Sequence, residues 1–309
     1  MLSLDCLNLS AAIMHFVLAI SFIIYFAIIN NKFDNTSIQG IELSIRDHDL
    51  QLIYLDNGTC QQSDDLTYCD ASGNGVKSDW QSNLSTKVDI KVIQGLLISF
   101  FLITGSFHLY YYLGNGNPQY PPSVHNGYSR AIKNSNNFYR WIEYSITATM
   151  MLYIIALTSG VKDTNIYLLL FATNVTMISL GQQVEVAVRD GKSWWLPMIT
   201  SFLLLISEFV VIIRSFWRRL DQVNGFLKEN QHSSLTNGRT IPDWLKSMII
   251  VLFLFFSCFG FVSLYGAYSR TKYETIEKIY IILSFVAKAT LGVFIAYGTA
   301  QRQKGWNQK

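Results

Sequence analysis

Charge is scarce in this chain: of 309 residues only 15% are Asp, Glu, Lys or Arg, against 50% apolar and 14% aromatic. An ordinary soluble domain carries about a quarter charged residues, so the balance argues against one. Other absences narrow the chemistry. The five His and four Cys show no zinc-ligand spacing, which leaves no expected metal site. No glycine-rich phosphate loop follows a strand pattern and no nucleic-acid motif is present; nucleotide chemistry and a nucleic-acid partner are therefore not expected. A basic block is missing as well. The formal net charge of +3 is spread over loops and says little about partners.

What the chain does have is a set of long apolar runs. A helix needs about 20 mainly apolar residues to cross a hydrocarbon core of about 30 Å. Seven stretches meet this: Ala11 to Asn30, Ile90 to Leu113, Tyr139 to Gly160, Thr164 to Val188, Trp194 to Trp217, Trp244 to Ala267 and Tyr280 to Gln301. The pattern predicts an all-α membrane protein, a seven-transmembrane-helix bundle in the lipid bilayer, with residues 1–309 as a single domain. The first run is expected to remain as a helix, because no basic stretch precedes it and Asn30-Asn31-Lys32 is a poor cleavage site.

Residues 31–89 form the one extended segment outside these runs, and it is acidic. Ile41-Glu42-Leu43-Ser44-Ile45-Arg46 and Asp49-Leu50-Gln51-Leu52 alternate apolar and polar residues, as half-buried strands do. Asp56-Asn57-Gly58 reads as a turn. A small β-hairpin or sheet over one mouth of the bundle follows. Cys60 and Cys69 flank a short loop there, as a disulfide or as two free thiols. Sequons begin at Asn35, Asn57 and Asn83, although an Asn- and Ser-rich loop yields such matches by chance.

The lysine and arginine bias of short loops normally marks the cytoplasmic side. Here it is about even: Arg130, Lys133, Arg140, Arg189, Lys192, Arg270, Lys272 and Lys278 fall on one side, with Lys162, Arg214, Arg218, Arg219, Lys228, Arg239, Lys246 and the basic tail on the other.

Ionisable residues inside the spans carry the functional signal, since a charge at the bilayer centre costs at least about 2.5–3.5 kcal/mol on insertion scales. Lys288 lies deep in the seventh run, and Glu143, in Arg140-Trp141-Ile142-Glu143-Tyr144-Ser145 on the third, is the best carboxylate partner. The two make either a structural ion pair or a site in which a desolvated amine forms a Schiff base. Ser284 precedes Lys288 by four residues and so shares its helix face.

Arg140-Trp141-Ile142-Glu143-Tyr144-Ser145, the seventh-span segment from Tyr280 to Lys288 and the long acidic loop resemble the microbial-type rhodopsins and, among them, the heliorhodopsins. The resemblance covers most of the chain. It implies all-trans-retinal bound through Lys288, Glu143 as the sole carboxylate counterion, and Ser284 beside the Schiff base. It also implies two buried histidines, His15 and His108, linked to the counterion region, with Thr104 one turn before His108 in the same polar cluster. Imidazole holds a proton near neutral pH, so either histidine could receive one from the Schiff base; for each, the alternative is a satisfied polar residue facing the bundle.

Two absences refine the reading within that resemblance. Ordinary microbial pumps carry aspartate where Ser284 stands, and outward proton pumps place a carboxylate about three turns after the counterion, where this chain has Ile154. A standard outward pump is therefore not expected. Glu208 interrupts an apolar stretch of the fifth span, and Glu185 lies near the end of the fourth; both are proton-transfer candidates, and Glu185 is equally placed to sit at a helix end. Phe253, Phe255, Phe256, Phe259 and Phe261 on the sixth span could pack around a polyene, most of them as core or lipid-facing residues. The polar run Asn134-Ser135-Asn136-Asn137 places Glu143 near a membrane surface unless the third helix starts earlier or its polar end is buried.

A non-enzymatic, light-absorbing photoreceptor with a sensory role is the expected function, and a light-gated proton channel or transporter is the alternative. A ligand receptor of the G-protein-coupled type is weakly supported, since Asp-Arg-Tyr and Asn-Pro-x-x-Tyr motifs are missing from the third and seventh spans. The expected partners are the lipid bilayer and a second copy of the chain, in a homodimer. The expected orientation has a cytoplasmic N-terminus and residues 31–89 outside.

Overall fold

The computed structural model describes residues 3–30, 37–38, 41–42, 44–54, 67–69, 75–114, 122–229, 243–269 and 272–301. Eight helices are present in this set: α1 (Leu4–Asn30), α2 (Ile90–Gly114), α3 (Pro122–Lys133), α4 (Phe138–Ser159), α5 (Thr164–Arg189), α6 (Trp195–Glu229), α7 (Asp243–Ser269) and α8 (Tyr273–Gln301). All except α3 are long and apolar enough to cross a membrane, which gives seven candidate spans. Several begin earlier than the apolar runs. The polar residues before Ala11 and before Tyr280 continue their helices because they are buried against neighbours: Asn8 and Glu277 are fully enclosed.

The spans show little amphipathicity of the soluble kind, because lipid accepts apolar side chains as readily as the core does. On α1 the outward stripe is Ile13, Val17, Ile20, Ile24 and Ile28, all well exposed. Its inward stripe, Asn8, Ala11, Ala12, His15, Ala19, Phe22 and Phe26, holds small residues and the helix's buried polar groups. The main core lies between α1, α2, α4, α5, α6, α7 and α8, with Leu97, Phe100, Phe101, Leu152, Ile155, Ile212, Leu245, Leu252 and Leu291 among its most enclosed residues. Ile154 is buried in this core with no exposure at all.

Helix ends are set by local chemistry. The Asn137 side chain caps α4 by accepting from the Arg140 backbone N–H at 3.3 Å, and Asp163 caps α5 in the same way through the Asn165 N–H at 2.8 Å. The α4 helix stops at Gly160, whose φ of 89° is left-handed. A Cβ there would also meet the flexible Arg219 side chain at 2.8 Å, a contact that side chain can relieve by shifting, so the left-handed φ is what calls for glycine.

Burial of the polar end of α4 resolves the expected conflict over Glu143. Asn137 is wholly buried, and its backbone N–H donates to the Tyr273 hydroxyl at 2.8 Å while its side chain donates to Glu277 at 2.7 Å. Arg140 likewise is no loop charge: it lies on the first turn of α4 at 2% exposure. The α3 helix, with its short amphipathic pattern, was not among the expected runs.

Residues 37–87 contribute five strands, β1 (Ser37–Ile38), β2 (Ile41–Glu42), β3 (Ser44–Tyr54), β4 (Thr67–Cys69) and β5 (Gly75–Lys87). The larger sheet is antiparallel in the order β3-β5-β4, with Ser44 opposite Lys87, Tyr54 opposite Val76 and a register shift between Ile45 and Asp47. The expected turn at Asp56-Asn57-Gly58 and the Cys60 thiol fall outside the described residues. So do the sequon asparagines at 35 and 57 and the side chains of Cys69 and Asn83.

Candidate functional site

Lys288 and Glu143 meet in the middle of the bundle. The lysine Nζ lies 2.9 Å from Glu143 Oε1 and 2.9 Å from Ser284 Oγ, and all three residues are within 2% of full burial. Helix geometry explains the serine: four residues bring it one turn below the lysine on the same face. Tyr144 adds its ring face 5.4 Å from the ammonium. Such a pair persists in a low-dielectric interior only when each charge compensates the other's desolvation.

A narrow apolar slot leads away from Lys288 between α4, α5, α6, α7 and α8. Trp141, Met151, Phe202, Phe256, Phe259 and Tyr280 are on its walls. Glycines widen it: a Cβ on Gly181 would come within 2.8 Å of the Trp141 ring, and one on Gly260 within 2.6 Å of Phe202. Of the sixth-span aromatics, Phe256 and Phe259 face the slot, Phe253 packs edge-on against Phe209, and Phe261 is 58% exposed. An elongated apolar chromophore carrying an aldehyde fits this donor set, because the slot ends on a single amine.

His15 and His108 stack with ring centroids 5.6 Å apart, and Phe285, three residues before Lys288 on α8, packs edge-on against His15 at 5.3 Å. His15 Nδ1 is 2.7 Å from the Ala11 carbonyl, and a carbonyl can only accept, so Nδ1 carries the proton. His108 Nδ1 is 3.0 Å from Asn8 Oδ1, while the Asn8 amide nitrogen donates to Tyr128 on α3 at 3.2 Å. With that amide orientation, His108 Nδ1 also donates. Both Nε2 atoms are then bare acceptors in the neutral rings, and both are buried without a hydrogen-bond partner among the described residues. Thr104 and Thr147 contribute buried hydroxyls that likewise lack partners in this set.

The remaining acids are not part of this group. Glu185 belongs to a second cluster, in which Arg140 forms ion pairs with both Glu185 and Glu277. Trp141 Nε1 and the Tyr273 hydroxyl also donate to Glu185, at 2.9 and 3.0 Å. Glu208 is 2% exposed on α6, one turn beyond the slot residue Leu205 but not itself on the wall. Both its oxygens lack hydrogen-bond partners among the described residues.

Glu277 was missed by the sequence reading, although a signal exists. Glu277, Ile281, Ser284 and Lys288 recur at intervals of four, three and four, which places them on one face of α8. The acid lies near the end of its helix, where an exposed carboxylate is ordinary, so its depth was hidden.

Seven spans enclosing a buried lysine, a facing carboxylate and an aromatic slot define an integral multi-pass membrane protein of the rhodopsin class. Residues 70–300 match the family model named Heliorhodopsin, and the chain belongs to the heliorhodopsin family. Retinal is the chromophore that this membership implies. No curated protein matches the chain.

Proposed function

We propose that the chain is a sensory photoreceptor in which all-trans-retinal is held by Lys288 as a protonated Schiff base, and that light moves a proton inside the bundle without pumping. The contact that carries this reading is the buried triangle of Lys288, Glu143 and Ser284, with 2.9 Å on both sides of the amine. When bound, retinal supplies a light-driven isomerisation that redirects the Schiff-base proton. Glu143 balances the cationic nitrogen, Ser284 orients its proton, and the slot glycines leave room for the polyene. His15 and His108 offer their buried, bare Nε2 atoms as internal proton acceptors. Ile154, buried among apolar neighbours, offers no return donor on α4.

Light-scanned absorption with a pH indicator tests this. A transient proton-linked absorption change should be slowed or lost in His15→Asn/His108→Asn, with no net proton release to either side. An unchanged proton-linked signal in that double variant would exclude the histidines.

A second reading rests on Glu208. A carboxyl at 2% exposure in the middle of a span, with no hydrogen-bond partner among the described residues, is costly unless it has a task, and a light-gated proton path would supply one. Voltage-clamp photocurrents that reverse with the proton gradient and fall in Glu208→Gln would favour conduction. An intact photocycle without current favours sensing. On either reading the protein acts as a homodimer in the bilayer, with its N-terminus cytoplasmic and residues 31–89 outside.

A further inference from the structure

A polar cavity of about 320 Å³ opens at the bundle end opposite the β-strands and is separate from the retinal slot. Its wall joins Arg130 on α3, Arg189 at the end of α5, Asn134 and Asn136 in the turn between α3 and α4, and Tyr139 at the start of α4. The turn is held by Ser135 at a left-handed φ of 49°. The backbone N–H groups of Asn134 and Asn136 close onto the carbonyls of Arg130 and Ala131 at 2.9 and 3.0 Å. Their side chains are thereby left to face the cavity. The Asn136 amide oxygen is buried without a hydrogen-bond partner among the described residues. Gly127 permits the close approach of the phenols: a Cβ there would lie 2.7 Å from the Tyr139 hydroxyl. Arg189 is itself paired with the neighbouring Asp190 at 2.8 Å, and Asp190 also stands 3.8 Å from Lys192, so Arg130, Arg189 and Lys192 leave net positive charge beside this acid.

We propose that this cavity binds a phosphate-bearing anion and that its occupancy is coupled to the light cycle, an inference that rests on the light-driven reading above. Two guanidinium groups match phosphate oxygens in a way a lysine pair does not. Amide N–H and phenol O–H groups add neutral donors, the Asn136 oxygen can accept only from a P–OH or a hydroxyl of the carrier, and the volume takes a phosphate with part of its carrier. Coupling follows from the walls themselves. The α3 helix reaches His108 through Tyr128 and Asn8. Tyr139 adjoins Arg140, and Arg189 lies one turn beyond Glu185, the two partners of a buried ion pair. An anion that prefers one arrangement of these networks must be preferred by it in return.

The experiment uses the full, retinal-loaded chain in phosphatidylcholine nanodiscs at constant ionic strength. One arm titrates inorganic phosphate against chloride, and the other incorporates phosphatidic acid without free phosphate. Recovery of the light-induced absorption change is followed, and dark calorimetry with inorganic phosphate and with short-chain phosphatidic acid reads binding directly. A saturable change in recovery of about fivefold or more, lost in Arg130→Gln/Arg189→Gln with an unaltered dark spectrum, is the expected result. A response in the first arm identifies a soluble phosphate as the source, and one confined to the second identifies a lipid headgroup. An intact light cycle that ignores both probes, or an equal response in the double variant, overturns the proposal. A chain without any light response would instead fail the photoreceptor reading; absence of binding heat for both probes would then overturn the site independently.

Discussion

Replacing Arg140 tests how the buried charge cluster is held. Arg140 lies between two carboxylates, with Glu185 on one side and Glu277 on the other, and the three side chains are 2%, 9% and 1% exposed. Arg140→Gln leaves two buried anions with only neutral donors: Trp141 and Tyr273 toward Glu185, and Asn137 toward Glu277. Breaking a buried pair this way costs about 3–5 kcal/mol. Glu277→Gln behaves differently, because Arg140 and Glu185 remain as a neutral pair and the amide oxygen still accepts from Asn137; a loss of about 1–2 kcal/mol is expected. At about 2 °C per kcal/mol for a chain of this size, Arg140→Gln should melt roughly 6–10 °C lower and Glu277→Gln roughly 2–4 °C lower. Loss of helical circular dichroism on heating in detergent, at one scan rate, measures both. The sign of the coupling is the sharper readout: Arg140→Gln/Glu277→Gln should melt higher than Arg140→Gln alone, since it removes an uncompensated charge. Equal losses in the two single variants, or a double variant that melts lowest, would refute the view that one guanidinium neutralises two acids.

Lys288→Ala should form no pigment with added retinal, and borohydride reduction of the native chain followed by peptide mapping should label Lys288; a label elsewhere would overturn the attachment site. Glu143→Gln should shift the absorption of the protonated form to longer wavelength, because the anion 2.9 Å from the nitrogen holds positive charge at that end of the chromophore in the dark. An unchanged spectrum would assign the counterion elsewhere.

The centre of the site was legible because lipid makes its residues conspicuous. A lysine in the midst of Phe285-Val286-Ala287-Lys288-Ala289-Thr290-Leu291 has few explanations, and helical spacing alone brought Ser284 to it. The spans were legible for the same reason, through length and composition. Their ends were not, since Asn8, Asn137, Arg140 and Glu277 look like surface residues in one dimension and become interior ones only when α1, α2, α3, α4 and α8 pack together. Glu185 shows the limit most clearly. Its position fits a helix end, a proton path or an ion pair equally well, and the choice depends on Arg140, 45 residues away in the chain. The α3 helix escaped because it is too short and too polar for a membrane criterion and too isolated for a pattern of its own.

The α8 helix carries Glu277 and Lys288 on one face, eleven residues and about 16 Å apart along the axis. An unbroken α-helix is stiff in torsion over that length. A twist imposed at Lys288 therefore reaches Glu277 at nearly the same angle, where it becomes a sideways stroke against the guanidinium of Arg140. The helix has the form of a crankshaft, with the buried Lys288 on one throw and the Glu277–Arg140 latch on the other.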